Sequence, residues 1–247
     1  TYPAGSIKAL GGVLQNEQLI YSFTTVATGL YMWGRNEYGQ LGLNTLTYSS
    51  SPTQIPGTTW NKLMGGMTSD SSAASKTDGT LWVWGLGSGG QLGLNATGIK
   101  LSSPVQLPGT WSSEFQIGSS SGAIKTDGTL WTWGSNSQGT LGLNAPFPAG
   151  RLSSPTQVGT DTTWSKLSSG NYDNKLAIKT DGTLWAWGNN TDGNLGLNNI
   201  TKYSSAVQVG TDTTWSVIKG AQEKSMGGKT DGTLWMWGSN FLGILGL

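Results

Sequence analysis

Gly182-Thr-Leu-Trp-Ala-Trp-Gly-Asn-Asn-Thr-Asp-Gly-Asn-Leu-Gly-Leu-Asn198 decides the fold, because four variants of this phrase accompany it in a sequence of 247 residues. The others open at Gly29, Gly79, Gly128 and Gly232, the last running to Leu247. The Trp of each Trp-Gly pair stands at 33, 84, 133, 187 and 237, giving intervals of 51, 49, 54 and 50 residues. A unit of about 50 residues has the length of a β-propeller blade and is too long for ankyrin or tetratricopeptide helix pairs. A second landmark precedes each phrase: Trp60, Trp111, Trp164 and Trp215, with Ile7 in that place in the first repeat.

The local signals are β. Lys-Thr-Asp-Gly-Thr-Leu-Trp at Lys76, Lys125, Lys179 and Lys229 sets Asp-Gly between two alternating apolar runs, which predicts a tight hairpin because Gly accepts positive φ. Leu-Trp-x-Trp alternates with period two, so Leu and x face one side of a sheet and the two Trp the other. Both faces then need cover, as in a blade between neighbours. No segment carries a capped helical pattern longer than about two turns, so helix is expected to be nearly absent. Each repeat reads as four strands: A from the single Trp, B into the Asp-Gly turn, C through Leu-Trp-x-Trp, and D at Ser-Ser-Pro-x-Gln-Val. Pro at the head of D suits an outer edge strand.

Composition narrows the function. Lys plus Arg number 14 against 13 Asp plus Glu, a net charge of +1, so no field draws the chain to nucleic acid or an anionic membrane. There is no Cys and no His, which removes disulfides, thiolate zinc sites, the cysteine nucleophile and the commonest general base. Thirteen Trp in a chain with 11% charged residues signify a folded core, not disorder. No run of 18 apolar residues marks a membrane span and no signal peptide is visible ahead of the repeats, so the expectation is a soluble single domain over residues 1–247 with a processed or trimmed start.

The phrase Gly-x-Leu-Trp-x-Trp-Gly-x-Asn-x-x-Gly-x-Leu-Gly-Leu resembles the repeat of the regulator of chromosome condensation family, whose members form β-propellers. The resemblance implies the fold directly and the function only broadly. The eukaryotic founder is a nucleotide exchange factor that binds chromatin, other members are photoreceptors or ubiquitin-ligase parts, and a similar secreted bacterial protein inhibits β-lactamase. A shared fold does not choose among them. This sequence has five repeats where the family usually has seven. It carries no insert resembling the exchange factor's wedge and no basic tail resembling its chromatin-binding arm. Photoreceptor members lace their Trp with Arg, and here only Arg35 and Arg151 occur. Exchange and light sensing are therefore not expected, and the Trp read as blade packing.

The expected architecture is an all-β, five-bladed propeller of four-stranded antiparallel blades. The last phrase stops after strand C, and Tyr2-Pro3-Ala4 matches the Pro-containing D segment in position. Residues 1–4 are accordingly expected to complete blade five and close the ring. The alternatives are a fragment of a longer protein or one part of an oligomeric ring.

Strands A–B and C–D are joined at one end of each blade, and those connections vary while the Asp-Gly turns at the other end do not. Loops on a rigid scaffold are where recognition sits. The A–B loops carry most of the non-repeat charge, which nominates Glu17, Asp70, Tyr172, Asp173, Lys175, Glu223 and Lys224 as binding residues. A glycosidase needs two carboxylates about 5–9 Å apart, and nothing singles out a pair among Glu17, Asp70, Glu114, Asp173 and Glu223. Asp78, Asp127, Asp181 and Asp231 read as turn formers. Asn189 to Asn194 is a repeat turn, not a calcium loop, since no Glu follows at the bidentate position. Asn95, Asn189 and Asn199 head sequons of the kind that chance supplies in such a composition.

The expectation is a non-catalytic module without metal or cofactor, extracellular and structural or adhesive, as in a surface appendage or the surface or fibre of a virion. Its partner would be a protein or glycan met through the loop face, with no nucleic acid and no membrane insertion, and assembly into a larger complex fits the same reading. Alternatives are a lectin-like propeller and a secreted protein-binding inhibitor or hub.

Overall fold

The computed structural model describes residues 9–10, 22–23, 29–65, 70–145, 150–169, 174–221, 223–243 and 245. Two short pairs come first: β1 (Ala9–Leu10) with β2 (Ser22–Phe23), and β3 (Leu30–Gly34) with β4 (Ser49–Ile55). Three four-stranded antiparallel sheets follow, each in chain order. They are β5 (Trp60–Gly65), β6 (Ser71–Lys76), β7 (Leu81–Gly87) and β8 (Ile99–Leu107); β9 (Trp111–Gln116), β10 (Ser120–Lys125), β11 (Leu130–Ser135) and β12 (Arg151–Gln157); and β13 (Trp164–Ser169), β14 (Asn174–Lys179), β15 (Leu184–Gly188) and β16 (Tyr203–Gln208). A three-stranded sheet of β17 (Trp215–Ala221), β18 (Lys224–Lys229) and β19 (Leu234–Gly238) is last, followed by one 3-10 turn at Phe241–Gly243. The segment 1–4 expected to close the ring lies outside the described residues.

The alternation in Leu-Trp-x-Trp builds the joint between blades. Leu81, Val83 and Leu107 on one face of the second blade pack against Trp111, Phe115 and Trp133 of the third. Ile124, Leu130 and Val158 of the third meet Trp164, Leu167 and Trp187 of the fourth, and Leu176, Leu184 and Ala186 of the fourth meet Trp215 and Ile218 of the fifth. Each large side chain so buried contributes about 1.5–3 kcal/mol. In the second, fourth and fifth blades the strand-A Trp stands edge-on to both Trp of strand C, as in Trp164–Trp185 at 6.0 Å and Trp164–Trp187 at 6.2 Å. The Lys ending strand B caps the pair: Lys179 Nζ lies 4.9 Å and 3.8 Å from those rings.

The hairpin before strand C has a three-residue loop. Gly79 N donates to Lys76 O and Lys76 N to Thr80 O, with Gly79 at φ 80°, a type I turn closed by a glycine bulge. Asp78 Oδ1 accepts from Thr80 N at 3.0 Å and Thr80 Oγ1 at 2.6 Å, and Trp82 Nε1 donates to Thr80 Oγ1 at 2.9 Å. The same Asp–Thr–Trp chain recurs at Asp127, Asp181 and Asp231. The Asp of Asp-Gly therefore orders the turn and orients the first Trp of strand C.

The Asn-x-x-Gly-x-Leu-Gly-Leu-Asn stretch is a clasp onto the following blade. Trp84 Nε1 and Ser72 Oγ both donate to Gln40 O, at 2.8 Å and 2.9 Å, and Trp133 Nε1 and Ser121 Oγ both donate to Gln91 O. At the end of the clasp Asn44, Asn95 and Asn144 adopt φ between 53° and 57°, and their N–H groups donate to Ser102, Ser153 and Ser204 O, each at 2.7 Å. Those serines lie in a bulge of strand D, where Val83↔Val105 is followed by Gly85↔Leu101 and Thr132↔Thr156 by Gly134↔Leu152. Strand D thus begins earlier than the Ser-Ser-Pro reading places it, and Pro104 and Pro155 sit at the bulge instead of the head. A bulge leaves residues unpaired, so the missing N–H is absorbed there.

Candidate functional site

The A–B and C–D connections share one end of each blade, as the repeat predicts: Leu86 N, just after strand C turns outward, donates to Asp70 O at the end of the A–B connection. Ser135 N to Ser119 O and Ser239 N to Glu223 O repeat the bond. The Trp-Gly glycine makes room for it. A Cβ on Gly134, at φ +94°, would stand 2.4 Å from Ser119 O.

Of the nominated residues, Asp70, Lys175, Glu223 and Lys224 are placed, while Glu17, Tyr172 and Asp173 lie outside the described residues. The four do not form one cluster. Asp70 is half-buried in the second blade and accepts from Gln40 Nε2 at 3.3 Å. Glu223, at φ 57°, and Lys224 are half-buried at the start of β18. Lys175 is 0% exposed between the third and fourth blades, where Nζ donates to Ser120 O at 2.7 Å and Ser120 Oγ at 2.9 Å. That position faces a neighbouring blade, as Ser121 and Ser225 do at the same register, so Lys175 supports the seam and is not open to a partner.

Among the described residues, the loop face also presents apolar side chains. Leu46 and Tyr48 in the first C–D connection are 50% and 65% exposed, and Ile200 in the fourth is 70% exposed. Sequence reading weighed charge in the A–B loops and passed over these, although Leu, Tyr and Ile between Thr, Ser and Asn were the visible signal.

A second feature lies on the strands that open each sheet. β5, β9, β13 and β17 contact one another in succession, as inner strands of neighbouring blades do. Glu114 Oε1 stands 3.7 Å from Lys62 Nζ and 3.5 Å from Lys166 Nζ, bridging three blades. Burial lowers the Lys62 pKa below the ordinary lysine range; Glu114 opposes the shift, and Lys219 and Lys166 reinforce it. A groove of about 500 Å³ opens beside Glu114 and Lys166, lined also by Ser112, Ser113, Thr126 and Thr180. Glu114 is one of the carboxylates the sequence offers, whereas Lys62 and Lys166 sit inside strands, away from the variable loops.

Three of the remaining described carboxylates are paired with a cation. Asp161 Oδ2 meets Lys179 Nζ at 2.5 Å and Asp212 Oδ2 meets Lys229 Nζ at 2.5 Å. For Asp161, partial burial works upward, but the bonds from Lys179 and Thr163 outweigh it and hold the pKa at about 2. Lys229 and then Thr214 hold Asp212 at about 2. Glu37 pairs with Arg35. Among the described residues no group of three His, Cys, Asp or Glu is arranged to hold a metal ion, and no helix is long and apolar enough to cross a membrane.

Comparison with known proteins bears on the fold. Human WBSCR16 superposes with a TM-score of 0.75 at 22% identity, over 92% of this chain and 61% of that one. Yeast RCC1 (Prp20), solved bound to Kap60, gives 0.78 at 16%, over 92% and 56%. Prp20p from Saccharomyces cerevisiae, in a study that includes its binding to Gsp1p and histones, gives 0.69 at 17%, over 89% and 56%. The chain thus spans less than two thirds of the length of each of these structures. The comparison with curated proteins returns no match. The sequence model of the regulator of chromosome condensation (RCC1) repeat matches residues 29–64, 78–119 and 127–172, half of the chain. With that phrase forming both the hairpin strand and the clasp of each blade, the chain belongs to the RCC1 repeat family.

Proposed function

We propose that this chain is a non-catalytic, five-bladed RCC1-type propeller that binds a protein partner through its loop face, as an extracellular structural or adhesion module on a cell or virion surface. The observation that carries the binding role is the exposure of Leu46, Tyr48 and Ile200 on connections that the repeat leaves free to vary. Exposed large apolar side chains at the tips of a rigid scaffold are suited to the desolvated centre of a protein interface. Yeast Prp20, with Kap60, Gsp1p and histones among its reported partners, offers a precedent for a propeller of this repeat used in protein binding. The exterior location rests on composition, with 11% charged residues and neither Cys nor His.

The ring is proposed to close by repeating the joint that links the other blades. Leu245 N donates to Asn240 Oδ1 at 2.9 Å, as Leu41, Leu141 and Leu195 N do to Asn36, Asn136 and Asn190. The clasp of the fifth blade is therefore built like its predecessors, and a closed ring sets Trp33 of the first blade on it. The N-terminal Thr1-Tyr2-Pro3 aligns with Gln54-Ile55-Pro56 and would supply the end of the missing outer strand.

The binding role is tested by replacing Leu46, Tyr48 and Ile200 together with Ala and measuring affinity for the partner that accompanies the protein in its native assembly. These side chains are exposed, so Tm should hold within about 2 °C. Affinity should fall at least tenfold. Unchanged affinity would remove the loop face from the interface.

A further inference from the structure

Lys62, Glu114 and Lys166 occupy one register position. Each precedes the buried apolar anchor of its inner strand, in the pairs Leu63↔Ala74, Phe115↔Ala123 and Leu167↔Ala177. In the fifth blade that position is Val217, before Ile218↔Gly227, and it is exposed. Packing therefore makes no demand for charge there. Four of the chain's other cations are used by the repeat: Lys76, Lys125, Lys179 and Lys229 each lie over Trp rings. Lys62 and Lys166, with Lys219 two residues beyond Val217, are additions to the scaffold.

We infer that Lys62, Lys166 and Lys219 on the inner strands form a site for a small tetrahedral oxyanion of the phosphate class, entered along the groove between the third and fourth blades. Lys219 lies near enough to Lys62 to repel it, and Lys62 and Lys166 share the Glu114 carboxylate at long reach. Its distances of 3.7 Å and 3.5 Å contrast with the 2.5 Å of the Lys179–Asp161 and Lys229–Asp212 pairs. Charge-assisted hydrogen bonds close to about 2.7–2.9 Å when nothing holds the partners apart. Glu114 is thus divided between two lysines, and with Lys219 beside them the cluster keeps an excess of positive charge in a half-buried place. An oxyanion fits because it accepts from several directions at once, and Ser112, Ser113, Thr126 and Thr180 in the groove wall offer further hydroxyl donors. Glu114, and Asp127 in the groove wall, oppose the anion and set the affinity to a moderate value.

The site does not depend on the loop-face partner. It is tested by calorimetric titration of the whole chain with inorganic phosphate at constant ionic strength, with a small phosphate monoester as a second arm. Inorganic phosphate should bind saturably at one site. Tighter binding of the ester would mark the anion as the end group of a larger ligand, and equal binding would mark it as free phosphate; both retain the site. K62M, K166M and K219M should each weaken binding about tenfold, the loss of roughly one charge-assisted contact, and E114Q should tighten it severalfold. The control K100M removes an exposed lysine elsewhere and should leave binding unchanged. Should a lysine variant fail to fold, the opposite sign expected of E114Q still decides the matter. Absence of saturable binding, an E114Q variant no tighter than the parent, or equal weakening by K100M would overturn the site.

Discussion

At the scale of single residues, Asn194 is the least settled position in the clasp. Its equivalents Gln40 and Gln91 fold back so that Oε1 accepts from Tyr38 N at 3.0 Å and Gly89 N at 2.7 Å. Asn194 is one methylene shorter, and its buried Oδ1 and Nδ2 have no hydrogen-bond partner among the described residues. Asn194→Gln should restore the bond and stabilise by about 1 kcal/mol, raising Tm by about 2–4 °C in a thermal melt. A fall in Tm would show that the seam has no room for the longer amide. Much of the residue-level logic was legible beforehand: the Asp-Gly turns, the positive φ of their glycines and the shared face of the two strand-C Trp all follow from the phrase. The role of Asn in Leu-Gly-Leu-Asn was not, because its hydrogen-bond partner is a serine about 60 residues onward in the next blade, at a separation no local pattern reports.

At the scale of elements, the seams use a long side chain against a short one. Gln40 with Ser72 and Gln91 with Ser121 place the long residue on the clasp; at the third seam Thr140 is short and Lys175 long. K175S should leave a hole and T140Q should overpack, each costing about 1–3 kcal/mol. The double variant should cost less than the sum, with a coupling of about 1 kcal/mol or more in urea melts, whereas strict additivity would deny the pairing. Lys175, nominated for binding, is buried against Ser120, and only the neighbouring blade reveals that it points into a seam.

The connection from strand D to the next strand A depends on Asp161 and Asp212. Their pKa values fall from the ordinary 3.8 to about 2 in the folded state, so both contribute stability that is present above about pH 4 and lost as pH falls towards 2. Urea stability of the parent should decline through that window. The D161N/D212N double variant should be weaker at neutral pH and decline less steeply, with the lowered Asp78, Asp127, Asp181 and Asp231 accounting for the remaining slope. Parallel profiles would show that the two ion pairs carry no share of the acid sensitivity.

At the scale of the whole molecule, repeat spacing was enough to read the blades, their strand order and the end at which the variable loops gather. It was not enough to locate charge on the inner strands, because a lysine within a β run looks the same whether it faces solvent or two neighbouring blades. The outer edge of β19 bears on closure. Leu234 is 69% exposed, whereas Leu81, Leu130 and Leu184 at its register are buried under strand D. If residues 1–4 complete that edge, the Leu234 and Trp235 amides should resist hydrogen exchange in the whole chain and lose protection when those residues are deleted. Equal exchange in the two proteins would contradict closure by this segment.

The binding role meets its most direct test in hydroxyl-radical footprinting of the protein inside its native assembly, compared with the isolated chain. Protection is predicted at Leu46, Tyr48 and Ile200 on the loop face, with the half-buried Trp131 and Trp185 beside the Asp-Gly turns unchanged. Protection confined to the turn face, or none on either, would contradict a propeller that works through its variable loops.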